Sequence, residues 1–352
     1  MLAAALFFPC KAQAVSAEHA IVMDARTGRI LYEKDAEDRG LIASTTKIMT
    51  ALIVSEQCNV LDRMRIPKEA VGIEGSSMYL QEGEVLTIQE LLYGLMLRSG
   101  NDAAVALAIY CGGTVEGFVS LMNDKAHQLG LQDTHFANPN GLDHPDHYSS
   151  AKDLAVLTAY AMKNPIFAKT VSTKSVTVGS RYLKNHNKLL WMVPEADGVK
   201  TGYTKAAGRI LVSTAVKDER RLIVVTMNDP DDWKDHATLI TENFQRYTLQ
   251  KIVSEGQCVG YMNVIGGQNG MVQLIASEDF VYALAEGETP EFVVPEPKFV
   301  YAPVVQGQDA GIVYFCLNGQ PMAQIPVGYG ETVELEQQTE KRGFWSRLFG
   351  AD

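Results

Sequence analysis

The apolar period of this chain changes twice, and those changes limit the folds open to it. Ala20 to Asp35, AIVMDARTGRILYEKD, holds two apolar-rich runs around the turn Asp24-Ala25-Arg26-Thr27-Gly28, the pattern of a β-hairpin. The period then becomes helical. TKIMTALIVSEQ follows Ile42-Ala43-Ser44. Thr87-Ile88-Gln89-Glu90 opens a further helix in capping-box form, Asn101 to Tyr110 is Ala-rich and ends at Gly112-Gly113, and Val115 to Leu129 and Ala151 to Met162 continue the pattern. From Val171 the period returns to that of strands: VSTKSVTV, RYLKNHNKLLW, GVKTGYT, GRILVSTAV and RLIVVTMN. The last two read as a hairpin through Lys217-Asp218-Glu219-Arg220, and Asp235 to Leu249 as a long closing helix. A strand pair, then helices, then strands and a helix predict an α+β domain: one antiparallel sheet with a helical subdomain inserted between its parts.

After about Ser254 helical spacing stops, and Gly-rich turns alternate with β-branched runs to about Glu336, predicting a separate all-β sandwich. The expected organisation is a signal segment over 1–17, a main domain over 18–253, an all-β domain over 254–337 and a tail over 338–352.

The two ends carry address signals. Leu2 to Phe8 is apolar but too short to span a bilayer, and Ala12-Gln13-Ala14 and Val15-Ser16-Ala17 are small-x-small cleavage sequences, so the protein is expected to be exported. In the tail, Phe344, Trp345, Leu348 and Phe349 share one helical face beside Lys341, Arg342 and Arg347, the form of an interfacial membrane anchor. The net charge of -11 argues against a general nucleic-acid binder. Besides Cys10 the cysteines are Cys58, Cys111, Cys258 and Cys316, with no C-x-x-C pair, so a zinc knuckle is not expected; two disulfides or free thiols both remain open.

Three short motifs carry the chemistry, in order: Ser44-Thr45-Thr46-Lys47 (S-x-x-K), Ser99-Gly100-Asn101 (S-x-N) and Lys200-Thr201-Gly202 (K-T-G). A serine hydroxyl needs a base. On a helix, residues three apart share a face, which puts Lys47 beside Ser44, and a desolvated lysine near other cations gives up its proton readily. Ser99 is a relay to the leaving amine, and Asn101 a partner for Lys47 and for a substrate amide. Lys200 supplies positive charge, Thr201 bonds a carboxylate, and Gly202 lets a substrate backbone lie along the strand. Two decoys exist: Ser149-Ser150-Ala151-Lys152 is also S-x-x-K but sits at a loop, and Arg26-Thr27-Gly28 lies in a turn ahead of any nucleophile. Asp143, His144, Asp146 and His147 read as a polar loop rim and not as a metal site, and no cofactor is expected. His186 is open between a cleft residue and a solvated strand position.

The ordered triple resembles the low-molecular-mass penicillin-binding proteins that are serine D-alanyl-D-alanine carboxypeptidases. AIVMDARTGRILYEKD, GSSMYLQEGE, FANPNGLDHPDHYSSAKDLA, NHNKLLW and DGVKTGYTKAAGR are similar too, so the likeness runs from about Glu18 to Leu249. The resemblance implies a penicillin-binding/β-lactamase-like fold, hydrolysis of the terminal D-Ala from peptidoglycan stem peptides through an acyl-enzyme on Ser44, and inhibition by β-lactams. It implies an oxyanion hole from the N–H groups of Ser44 and Tyr203, where the family often has His at the second position. The export signal and the amphipathic tail together predict a place on the outer face of the cytoplasmic membrane or in the wall space. A class A β-lactamase is disfavoured because no E-x-x-L-N lies between Asn101 and Lys200. A D,D-endopeptidase, a transpeptidase or a non-catalytic penicillin sensor remain as alternatives.

Overall fold

The computed structural model describes residues 15–337, which divide after Arg246 into two compact units. In the first, strands β1 (His19–Asp24) and β2 (Ile30–Lys34) form the hairpin, and Asp24 organises its turn: Oδ1 accepts from the N–H groups of Arg26 and Thr27 and from Thr27 Oγ1, while Oδ2 takes the buried Arg220 Nε at 2.7 Å. The Arg26-Thr27-Gly28 decoy is therefore a turn built around a buried carboxylate. A 3-10 turn, Ala43–Thr46, leads directly into helix α1 (Lys47–Gln57). The short pair β3 (Arg63–Arg65) and β4 (Val85–Thr87) precedes α2 (Ile88–Leu97), whose Thr87–Glu90 capping box is complete. Helices α3 (Asn101–Gly112), α4 (Val115–Gln128), α5 (Ala151–Ala161) and α6 (Pro165–Ser172) complete the insertion.

The hairpin β5 (Ser175–Val178) and β6 (Arg181–Lys184) is followed by a short helix α7 (Leu189–Met192). Then come β7 (Ala196–Thr204), β8 (Gly208–Lys217) and β9 (Arg220–Met227). Asp218 and Glu219 join the last two with φ of 50° and 60°, as a primed two-residue hairpin turn requires. The sheet order is β2-β1-β9-β8-β7, all antiparallel, so chain segments nearly two hundred residues apart meet where β1 pairs with β9. One apolar core runs from the sheet into the inserted helices, with Ile48, Leu52, Leu91, Leu107, Leu154, Val199 and Val225 all buried. Strand β7 lies at the sheet's edge.

Three expectations need correction. The stretch after Lys184 is not strand: the apolar Leu189-Leu190-Trp191 run forms one helical turn, because Asn187 Oδ1 accepts from Leu189 N–H and starts it. The closing helix α8 spans Asp232–Arg246, and Tyr247–Val253 is a strand (β10) of the second unit, paired with Phe280–Ala285. The second unit thus begins at Tyr247, earlier than Ser254. Val15 and Ala17 are buried, and Ser16 Oγ bonds to Asp229 and Asp235, so these residues belong to the folded unit and not to a leader. The rest of the expected signal, residues 1–14, and the amphipathic tail over 338–352 lie outside the described residues.

The second unit is all β. Strands β11 (Cys258–Ile265), β12 (Met271–Ala276), β13 (Phe280–Ala285), β14 (Pro290–Val293), β15 (Phe299–Tyr301), β16 (Asp309–Leu317) and β17 (Gln320–Tyr329) follow β10. Six form one sheet in the order β14-β16-β17-β12-β11-β15, and β10 with β13 forms a second layer. Between them Val253, Tyr282, Leu284, Phe315, Ile325 and Val327 make a core, with Phe315 packed 4.8 Å from Tyr282 and 5.1 Å from Phe280 between ring centres. Cys58, Cys111, Cys258 and Cys316 carry free thiols.

Candidate active site

Ser44 lies within the 3-10 turn, three residues ahead of the α-helix expected to open at it. In a 3-10 turn residues three apart eclipse, which aligns Ser44 with Lys47 more directly than an α-helix does. Lys47 Nζ sits 2.9 Å from Ser44 Oγ and 2.7 Å from Asn101 Oδ1, and it also donates to the Asn140 carbonyl. Lys47 has no exposed surface. Burial, with help from the Lys200 charge and against the opposing pull of Asp102, holds its ammonium well below the usual lysine range.

The Asn138–His147 loop supports this turn from below. Asn138 Oδ1 accepts from the N–H groups of Asn140, Gly141 and Leu142, folding the loop tightly enough to present the Asn140 carbonyl to Lys47. Gly141 has φ 87°, and a Cβ there would fall 1.9 Å from the Ala43 carbonyl oxygen. His147 is buried, accepts from Ala137 N–H and places Nε2 2.7 Å from Thr46 Oγ1. Two residues beside the reacting groups hold left-handed backbone without being glycine: Ala43 (φ 45°) and Ser99 (φ 59°). Such conformations cost energy and persist only where the surroundings fix them.

The second motif is tied down by Asp102, the residue after it. Its buried carboxylate accepts from Met78 N–H, Leu80 N–H and Ser77 Oγ, so the GSSMYLQEGE stretch is pinned to the start of α3. Asn101 N–H donates to Ser76 O at 2.7 Å, and one of its side-chain N–H bonds goes to Glu74 O. Asn101 Oδ1 therefore bonds to Lys47 while its amide nitrogen is already bonded to the protein.

On β7, Lys200 is fully buried and its Nζ donates to Thr201 O at 2.7 Å. Burial lowers it to about 7, so its charge at neutral pH is partial. Gly202 faces the 3-10 turn: a Cβ would meet Ile42 O at 3.2 Å and Ala43 Cβ and Thr45 Cγ2 at 3.3 Å. Its lack of a side chain serves the contact between strand and turn as well as any substrate. A cleft of about 300 Å³ brings Ser44, Ser99, Thr201, Gly202 and Tyr203 together. Lys47, Asn101 and Lys200 lie behind its surface.

The cleft is also lined by Ser76, His186, Arg209, Asp232 and Trp233, none of which the motifs name. Arg209 Nη2 reaches both Asp232 oxygens, at 2.7 and 2.8 Å, and its guanidinium lies 5.7 Å from the Trp233 ring centre. The Ser149 decoy is structural: Ser149 is buried against Thr134 Oγ1, Ser150 caps α5, and exposed Lys152 pairs with Glu37.

Comparison with known proteins agrees with this geometry. The D-alanyl-D-alanine carboxypeptidase family profile matches residues 8–231. The chain belongs to the D-alanyl-D-alanine carboxypeptidase family. It is accordingly a serine-type hydrolase of peptidoglycan stem peptides, with the penicillin-binding α+β fold. The penicillin-binding protein 5 C-terminal domain profile matches residues 247–335, so this carboxypeptidase carries that family's β domain. The carboxypeptidase DacF of Bacillus subtilis is 33% identical over 334 residues, covering 90% of this chain and 86% of that one. Penicillin-binding protein 5 from Haemophilus influenzae superposes with a TM-score of 0.79 at 30% identity, over 91% of this chain and 98% of that one. A Streptomyces DD-transpeptidase mutant matches 66% of this chain and 99% of its own, at TM-score 0.64 and 34% identity.

Proposed function

We propose that Ser44 attacks the carbonyl of the penultimate D-Ala in a D-Ala-D-Ala stem, with Lys47 as its base. The arrangement of Lys47 carries this reading. A neutral amine has two N–H bonds and one lone pair. With the N–H bonds spent on Asn101 Oδ1 and Asn140 O, the lone pair is left for the Ser44 hydroxyl. Ser44 Oγ forms the new bond to carbon as its proton passes to Lys47 Nζ. The developing oxyanion is met by the N–H groups of Ser44 and Tyr203. The C–N bond then breaks, the proton held by Lys47 passes through Ser99 to the leaving amine, and free D-Ala departs with Lys47 neutral again. Water attacks the Ser44 ester with the same lysine as base, and the shortened stem leaves. Thr201 and Arg209 hold the terminal carboxylate, and Lys200 adds partial positive charge behind them. A β-lactam follows the same first step and stays as the Ser44 ester.

The protein works outside the cytoplasm in this reading. Cleavage after Ala14 removes the apolar leader and keeps the packed Val15–Ala17 segment, and the Lys341–Phe349 stretch holds the enzyme to the membrane surface. Steady-state release of D-Ala from a peptide ending in D-Ala-D-Ala tests the activity. Multiple turnovers are expected; a single stoichiometric acylation without release would favour the sensor.

A further inference from the structure

We propose that a groove adjoining the catalytic cleft binds the acyl-side part of the donor peptide and selects donors that carry a carboxylate beside an apolar chain. This rests on the carboxypeptidase reading. The groove encloses about 600 Å³, and His186 lines both it and the cleft, so an extended peptide held at Ser44 continues into it. Its apolar wall is Trp191 and Met192 on α7, 46% and 53% exposed, a large apolar surface left open to water. Its polar wall is Arg98, Lys184 and Lys188.

Those three cations differ from four arginines of the same unit. Arg181, Arg209, Arg220 and Arg221 each pair with a carboxylate, at 2.5 to 2.7 Å. Among the described residues, Arg98, Lys184 and Lys188 have no carboxylate in ion-pairing reach, and none lines the groove. Lys184 Nζ instead lies 5.2 Å from the Trp191 ring centre, and Lys188 Nζ 5.9 Å from that of Trp233 in the neighbouring cleft. In a chain of net charge -11, a groove lined by three cations and by no acid favours an anion. Burial and the nearby Lys200 and Arg98 charges lower His186 to about 4, so it stands neutral between the two cavities at working pH. The indole and thioether suit a methylene chain, and the cations suit a carboxylate at its end.

Two donors of one shape separate the charge from the rest: Nα-acetyl-L-lysyl-D-Ala-D-Ala with its ε-amine capped by a succinyl group, and the same peptide with the succinyl carboxylate converted to the amide and the D-Ala carboxylate left free. With the full chain, kcat/KM by D-Ala release is expected to favour the carboxylate donor about tenfold at low salt, mostly in KM. The preference should shrink toward unity in about 0.5 M salt, and in the Lys184→Gln/Lys188→Gln double variant. Equal kcat/KM for the two donors in the unmodified protein overturns the proposal, as does a preference that survives both salt and the double substitution. If the double variant does not fold, the salt dependence of the unmodified protein decides. Turnover of the amide donor reports the carboxypeptidase reading separately: if neither donor is cleaved, that reading fails and the subsite falls with it.

Discussion

Lys47 Nζ stands 2.9 Å from Ser44 Oγ, and its two remaining contacts, Asn101 Oδ1 and Asn140 O, are both acceptors. That asymmetry suits the lysine to the base role proposed for it, since neither acceptor can donate to its lone pair. Lys47→Arg keeps the donors but imposes a permanent positive charge and removes the lone pair. Its penicillin acylation rate should fall by about 10²- to 10⁴-fold, the usual worth of general base catalysis. Stopped-flow or gel labelling measures this; a rate near that of the unmodified protein would rule out the base role.

The pH profile tests the electrostatic coupling between the two lysines. Acylation requires neutral Lys47, so the rate falls on the acid side as Lys47 takes up a proton. The Lys200 cation helps to hold Lys47 low. Removing that cation in Lys200→Gln raises the Lys47 pKa, and the acid limb of the penicillin acylation rate should move to higher pH. An unmoved limb, or one displaced to lower pH, would contradict the coupling.

The grouping of Ser44, Lys47 and Asn101 was legible because the motifs are written in side-chain type and spacing. Asn140 was not, because it acts through its backbone carbonyl, which every residue possesses; the only trace was the turn-forming Asn138-Pro139-Asn140-Gly141. Arg209 was hidden in a strand read for its apolar pattern, and Asp232 in the start of a helix placed three residues too late. Helix α6 has a sequence signal of its own: Asn164 caps it, with Oδ1 accepting from the N–H groups of Ile166 and Phe167, and Pro165 follows at the first helical position. The overrun of the closing helix past Arg246 has another cause. Tyr247 to Val253 keeps enough apolar residues to continue a helical stripe, and only its pairing with Phe280–Ala285 makes it a strand.

Gly141 gives a test of how the turn is supported. Gly141→Ala must both hold φ 87° and displace the Ala43 carbonyl, so it should cost about 1–3 kcal/mol in stability and slow acylation with it. Gly179→Ala has φ 57° but open space around the new methyl, and should cost about 1 kcal/mol with acylation unaltered. Thermal melts and labelling rates of the two variants check this; equal behaviour would show that the Asn138–His147 loop does not brace the nucleophile.

The proposed membrane association rests on the sequence of the tail alone. Among the described residues no single helix is long and apolar enough to cross a membrane. Burial of Phe344, Trp345, Leu348 and Phe349 at about 1.5–3 kcal/mol each gives a gross upper bound of about 6–12 kcal/mol, offset by ordering a short helix. The full chain should float with anionic liposomes, less so at high salt, and a version ending at Thr339 should not. Identical partitioning of the two would remove the anchor from the account.

The most direct test of the central claim is intact-mass measurement after penicillin treatment, followed by peptide mapping of the adduct. One penicillin per chain is expected, on the peptide containing Ser44, with no adduct in a folded Ser44→Ala variant. An adduct that persists in Ser44→Ala, or that maps to Ser149 in the second S-x-x-K sequence, would contradict the assignment.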